Sequence, residues 1–131
     1  MIYGYCRVST NHQRIDRQVT NIRESYPSAT LLREFYTGTT QDRPLWDKLV
    51  NSLQIGDTVV FDSVSRMSRN AAEGFNDYKR LYQSGVRLVF LNEPLINTAV
   101  FDSTKKNLLT LSVETGSRAV DDYFKGNIDL I

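Results

Sequence analysis

Three short stretches of this 131-residue chain carry side chains suited to holding an anion. In YGYCRVST, residues 3–10, Arg7 and Ser9 stand two positions apart near the end of a strand-like run. Side chains alternate across a strand, so the two share one face about 7 Å apart, and a hydroxyl lies beside a fixed positive charge. The other reading open for Ser9 is that Ser9 and Thr10 simply begin the following helix. In SVSRMSRN, residues 63–70, Arg66 and Arg69 run into a helix start, where the partial positive charge favours anions. Two cations there cost a little stability unless something negative lies between them. A bound phosphate resolves the conflict, and two solvated arginines on a turn are the alternative. In YTGTTQDRP, residues 36–44, a loop rich in Gly, Thr and Asp ends at a helix cap with Arg43 beside it, taken alone a surface charge. Together the three stretches set a serine and four arginines along one edge of a sheet. Arginine stays charged at any working pH and offers a planar fork of donors that matches phosphate oxygens.

The elements that must position these residues follow from the hydrophobic pattern. Residues 2–8, 29–36, 58–62 and 86–92 are rich in β-branched and aromatic types and read as buried strands. Between them, apolar residues recur at helical spacing: Ile15, Val19, Ile22 and Tyr26, then Leu45, Leu49, Val50 and Leu53, then Ala71, Phe75, Tyr78 and Tyr82. Asp42 and Pro44 open the second helix and Gly56 follows its end. Asn70 with Glu73 starts the third like a capping box, and Gly85 closes it. The alternation predicts an α/β fold, a mainly parallel sheet of about four to five strands flanked by helices, with ligands at the carboxyl ends of the strands.

From Phe101 to Ile131 no strand and few breakers occur, which predicts one long helix. About 28 residues span roughly 42 Å, as long as a compact chain of this size is wide, so its far end projects or packs on another chain. Leu109, Val113, Gly116, Val120 and Tyr123 line one side, and the small Ser112, Gly116 and Ala119 allow a second helix close. The expected division is therefore an α/β domain over 1–100 and an oligomerisation helix over 101–131.

Composition is less informative. Sixteen Lys and Arg balance 15 Asp and Glu, a net charge of +1, so no general field favours nucleic acid. A DNA partner would require either locally gathered basic residues or a second, more basic domain outside this chain. No apolar run approaches the roughly 18 residues of a membrane span, and the N-terminus lacks a secretory pattern. The expectation is a cytoplasmic protein without a membrane partner. The single Cys6 has no partner for a disulfide or a zinc cluster and is expected to be a buried thiol.

The three stretches resemble the catalytic domain of the serine site-specific recombinases, the resolvase and DNA-invertase family. Tyr5, Arg7, Val8, Ser9, Thr10, Gln13 and Gln18 match its opening Y-x-R-V-S-T with two spaced glutamines. Thr37, Gly38, Asp42 and Arg43 match its loop before the second helix, and Arg66 and Arg69 its two-arginine segment. The resemblance implies that Ser9 is the nucleophile, attacking a DNA phosphodiester to leave a 5′-phosphoserine link and a free 3′-hydroxyl. It implies that Arg7, Arg43, Arg66 and Arg69 hold the scissile phosphate, that Tyr5, Gln13, Gln18, Thr37 and Asp42 support the site, and that no metal or cofactor takes part. It further implies homodimers that pair into a tetramer on two DNA sites, and a separate DNA-binding domain beyond the long helix, without which the isolated domain is expected to be inactive or weakly active. Two positions depart from the family pattern. Ser65 replaces the acid usual before the first paired arginine, and Ser117-Arg118 replaces a Glu-Arg pair, so the general acid is unassigned.

Two other readings use the same residues. A hydrolase built on Ser9 and His12 would need a third group to orient the imidazole, and the turn lacks the glycines of G-x-S-x-G. A phosphate-binding module of the flavodoxin-like type would use the same strand ends without covalent chemistry.

Overall fold

The computed structural model describes residues 1–8, 12–35, 43–68 and 70–104, with 12–14 and 102–104 described by backbone alone. The elements run β1 (Ile2–Val8), α1 (His12–Ser25), β2 (Thr30–Phe35), α2 (Pro44–Ser52), β3 (Thr58–Phe61), α3 (Ala71–Gln83) and β4 (Arg87–Phe90), and short 3₁₀ segments cover Val64–Arg66, Pro94–Ile96 and Thr98–Thr104. The four strands form one parallel sheet in the order β2-β1-β3-β4. The α/β class, the parallel sheet and the three helices are as the pattern predicts. The fourth strand is shorter than 86–92, yet its pairing outlasts it: Leu91 N–H donates to the Phe61 carbonyl and Asn92 N–H to that of Asp62, each at 3.0 Å.

Alternation along β1 divides the core. On one face Cys6 and Val8 pack with Val60 and with Ile15, Val19 and Ile22 of α1. On the other, Tyr5, Phe61 and Phe90 pack with Trp46 and Leu49 of α2 and with Tyr78 and Leu81 of α3. Phe61 and Phe90 stack at 5.1 Å and Tyr5 meets Trp46 at 5.0 Å. Each such side chain, fully buried, contributes about 1.5–3 kcal/mol. Gly4 lets α1 lie close, since a Cβ there would stand 2.6 Å from Leu31 Cδ2 and 2.9 Å from Ile22 Cγ2.

Cys6 is fully buried, and burial pushes its thiol up to about 12. Because only the thiolate reacts, the native protein is expected to resist iodoacetamide at neutral pH and to be alkylated once denatured. Alkylation of the native protein at the denatured rate, read by mass spectrometry, would contradict this burial.

Local chemistry explains the helix ends. Asn70 accepts from the Glu73 N–H at 2.8 Å, as its N-cap position requires. The reciprocal half of a capping box is absent, because the Asn70 N–H donates to Ser68 Oγ at 3.3 Å. Gly85, at φ +86°, turns the chain out of α3, and the Val86 N–H returns to the Leu81 carbonyl at 3.0 Å.

Beyond β4, the Thr98 hydroxyl bridges the N–H and carbonyl of Leu88, and Asn97 Oδ1 accepts from the Phe90 N–H. Residues 97–98 thus occupy the free edge of β4, as an edge strand requires. Residues 101–104, expected to start the long helix, belong to the 3₁₀ segment from Thr98, and 105–131 lie outside the described residues. Among the described residues no helix is long and apolar enough to cross a membrane.

Candidate functional site

From β1 the sheet grows in two directions, to β2 on one side and to β3 on the other. In an open parallel sheet the carboxyl ends at such a reversal leave a crevice, the usual ligand position. Here the two strands also separate. β1 pairs with β3 as far as Tyr5 opposite Phe61, and with β2 on to Val8 opposite Phe35. The chain after β3 fills the gap with its 3₁₀ turn, and Arg7 lies beneath that turn.

Arg7 is 5% exposed, and its Nη2 donates to the carbonyls of Ser65 at 2.7 Å and Ser68 at 3.2 Å. Its own peptide group is held by Gln18 of α1, whose Oε1 accepts from the Arg7 N–H at 3.0 Å and whose Nε2 donates to the Arg7 carbonyl at 3.2 Å. Gln18 is itself buried and replaces the strand partner that β3 no longer supplies. A buried backbone group left without such a partner costs about as much as a lost hydrogen bond. Arg66 extends a long contact, 3.5 Å, from Nη1 to the Arg7 carbonyl, and its buried Nε has no hydrogen-bond partner among the described residues. Arg43 donates from Nη1 to the Met67 carbonyl, and its guanidinium carbon lies 5.0 Å from the centre of the Trp46 ring.

The turn 65–68 therefore gathers Arg7, Arg43 and Arg66, which are 23 or more positions apart in the chain in every pairing. Among the described residues neither Arg43 nor Arg66 forms an ion pair. Backbone carbonyls partly satisfy guanidinium donors but do not neutralise them, so the edge keeps a concentrated positive charge that favours an anion. The placement of Arg66 differs from expectation. It ends the 3₁₀ turn four positions before the N-cap Asn70, outside the first turn of α3 where the helix field acts. The conflict posed for it is thus one of cation with cation. Ser9, Arg69, Thr37, Asp42 and the Gln13 side chain lie outside the described residues.

Glu34 is a residue that pattern reading passed over. Arg43 occupies the N-cap of α2, and a guanidinium cannot accept a hydrogen bond. The buried Glu34 of β2 takes over, accepting from the Leu45 N–H at 3.1 Å and the Trp46 N–H at 3.0 Å. It also accepts from the Tyr5 hydroxyl at 2.8 Å. Burial first, and then this bond and the carboxylate's charge, hold the Tyr5 phenol well above its ordinary range, so it remains a neutral donor. The available signal was register: Glu34 stands opposite Arg7 in the sheet, ten positions before Pro44.

The acids nearest the turn are engaged elsewhere. Asp62 accepts from Asn21 Nδ2 of α1 at 2.8 Å, and the Ser65 hydroxyl lies 2.7 Å from that of Ser63. Glu93 accepts from the Val64 N–H at 2.8 Å, and burial raises its carboxyl above the usual range.

The family profile described as "Resolvase, N terminal domain" matches residues 2–115. A resolvase of Clostridium perfringens strain 13 is 30% identical over 112 residues, covering 85% of this chain and 59% of that protein. The transposon Tn501 resolvase of Pseudomonas aeruginosa is 34% identical over 106 residues, 81% of this chain and 54% of that protein. The chain thus spans little more than half the length of these curated relatives. Among solved structures, the N-terminal catalytic domain of TP901-1 integrase superposes with a TM-score of 0.62 at 22% identity, covering 95% of this chain and 96% of that one. A serine recombinase from Sulfolobus solfataricus gives 0.55 at 19% identity, covering 95% and 96%. These structures share the fold, and the profile match over nearly the whole α/β region shows that the chain belongs to the resolvase N-terminal domain family.

Proposed function

We propose that this chain is the catalytic domain of a serine site-specific recombinase. The observation that carries the reading is the convergence of Arg7, Arg43 and Arg66 on the turn 65–68, at the carboxyl ends of β1 and β3 where Ser9 and Arg69 continue the chain. In the proposed reaction Ser9 Oγ attacks the phosphorus of one DNA phosphodiester and gives up its proton. The bond to the 3′ oxygen breaks, and that oxygen leaves as a hydroxyl after taking a proton. One phosphate ester replaces another, so religation to a different 3′-hydroxyl needs no ATP. The four guanidiniums of Arg7, Arg43, Arg66 and Arg69 supply what phosphoryl transfer chiefly demands, position and compensation of developing negative charge. Tyr5 and Gln18 act by holding the strand that carries Arg7, and Gln13, Thr37 and Asp42 are assigned to the same support. DNA is the proposed partner and the cytosol the proposed compartment. Residues 1–100 form the catalytic unit, and 101–131 join two copies into a dimer that pairs into a tetramer on two sites.

The test is covalent capture. The protein is incubated with a library of randomised duplexes nicked at the centre, denatured, and digested for mass spectrometry. A nucleotide adduct on Ser9 is the expected result. Cleaved DNA with no protein attached, an adduct elsewhere, or DNA bound without any adduct would refute the reading, the last in favour of a phosphate-binding module.

A further inference from the structure

The guanidinium of Arg43 lies between two supports at the start of α2. One is the Met67 carbonyl, and the other is the face of Trp46, 5.0 Å away and inside the roughly 6 Å reach of a cation–π contact. Trp46 is 3% exposed and fixed in every direction. Its backbone N–H is bound by Glu34, its ring packs on Tyr5 and on Phe61 at 5.9 Å, and Asp77 of α3 lines the same cleft as the indole, whose N–H is the ring's single donor. Asp77 in turn pairs with Arg80 at 3.2 Å. Arg43, Trp46, Asp77 and Arg80 line an open cleft of about 730 Å³ between α2 and α3.

We propose that Trp46 is a positioning residue for Arg43 and that Asp77 sets the plane of the indole, so that α3 governs where this guanidinium points. The inference rests on the reading above, in which Arg43 serves the scissile phosphate. Stacking engages the flat face of a guanidinium and leaves its in-plane donors to an anion. Without the ring, a long side chain has many rotamers, and Asp47, Glu73 and Asp77 line the same cleft. An Arg43 released from the indole has carboxylates to turn to and leaves the phosphate side. A purely structural Trp46 would affect the reaction only through stability.

Trp46 is the chain's single tryptophan, so its indole N–H gives one unambiguous NMR signal. The experiment compares the parent with Trp46→Leu, Trp46→Phe, Asp77→Leu and Asp77→Asn. It reads the ring-current shift of the Arg43 Nε–H, exchange of the indole N–H, melting temperature, and the rate of Ser9 adduct formation on the nicked library. Trp46→Leu is expected to abolish the Arg43 shift and slow adduct formation about 3- to 30-fold, while Trp46→Phe keeps the shift and most of the rate. Asp77→Leu should speed indole exchange and lower the rate. Asp77→Asn, which retains an acceptor, should restore both. An Arg43 signal unmoved in Trp46→Leu, or rates that follow melting temperature across all four variants, would overturn the inference. If the parent itself forms no adduct, the recombinase reading fails separately, and the Arg43 and indole signals alone decide whether Trp46 positions Arg43.

Discussion

Adduct formation at Ser9 is expected to fall about 100- to 1,000-fold when Arg7 is replaced by lysine, the loss seen when one preorganised donor to a reacting oxyanion is removed. Charge is conserved in this substitution, so the effect isolates shape. Arg7 Nη2 reaches the Ser65 and Ser68 carbonyls together from a buried position, and the planar group holds its other donors at fixed angles to that nitrogen. An ammonium is a compact, strongly hydrated point charge without a planar fork, and burying it is unfavourable. The turn 65–68 would lose a fixed support, and with it the placement of Arg66 and of the Met67 carbonyl that holds Arg43. Stability is expected to fall by about 1–3 kcal/mol, the usual cost of buried acceptors left unsatisfied. Single-turnover trapping and denaturant melts measure the two effects, and an Arg7→Lys protein whose adduct rate stays within threefold of the parent would show that shape is immaterial there.

Glu34→Ala should be the largest single loss of stability among polar substitutions, about 3–5 kcal/mol, with Glu34→Gln costing about 1–2. Alanine leaves the Tyr5 hydroxyl and the Leu45 and Trp46 N–H groups without their acceptor, and Tyr5 and Trp46 are buried away from water. Glutamine keeps one acceptor oxygen but replaces the other with a donor that faces donors. The carboxylate is tolerated in the core because it sits on the N-terminus of α2, where the helix field favours negative charge, and because Arg7 neighbours it across the sheet. Urea titration of both variants gives the numbers. A loss under 1 kcal/mol in Glu34→Ala would mean that α2 does not depend on this cap.

Much of the scaffold was readable in advance because its signals are local. The β-branched runs, the 3.6-residue stripes, Pro44 at the start of α2, Asn70 at the start of α3 and Gly85 after it each act within a few residues. Strand parity puts Tyr5 and Cys6 on opposite faces, and they fall in different packed clusters. The features that escaped are those made by distant pairs. Gln18 replacing a strand, Glu34 capping a helix ten residues later, and Trp46 beneath Arg43 follow from tertiary contact, which composition and spacing do not encode. Arg66 lies outside α3, and spacing misses this for a related reason: a three-residue 3₁₀ turn has no periodicity, so from sequence the segment reads as the beginning of α3.

The central place of β1 has a consequence in time. It is made before the three other strands of its sheet, yet its partner Thr58–Phe61 emerges from the ribosome some fifty residues later, and parallel pairing cannot shortcut that crossover. Until then the strand bearing Arg7 waits half-paired, an apolar segment open to chance association, and closing so long a loop is slow. The same connectivity that brings remote cations to one turn therefore sets the moment at which the nascent chain is most vulnerable, just before Phe61 is delivered.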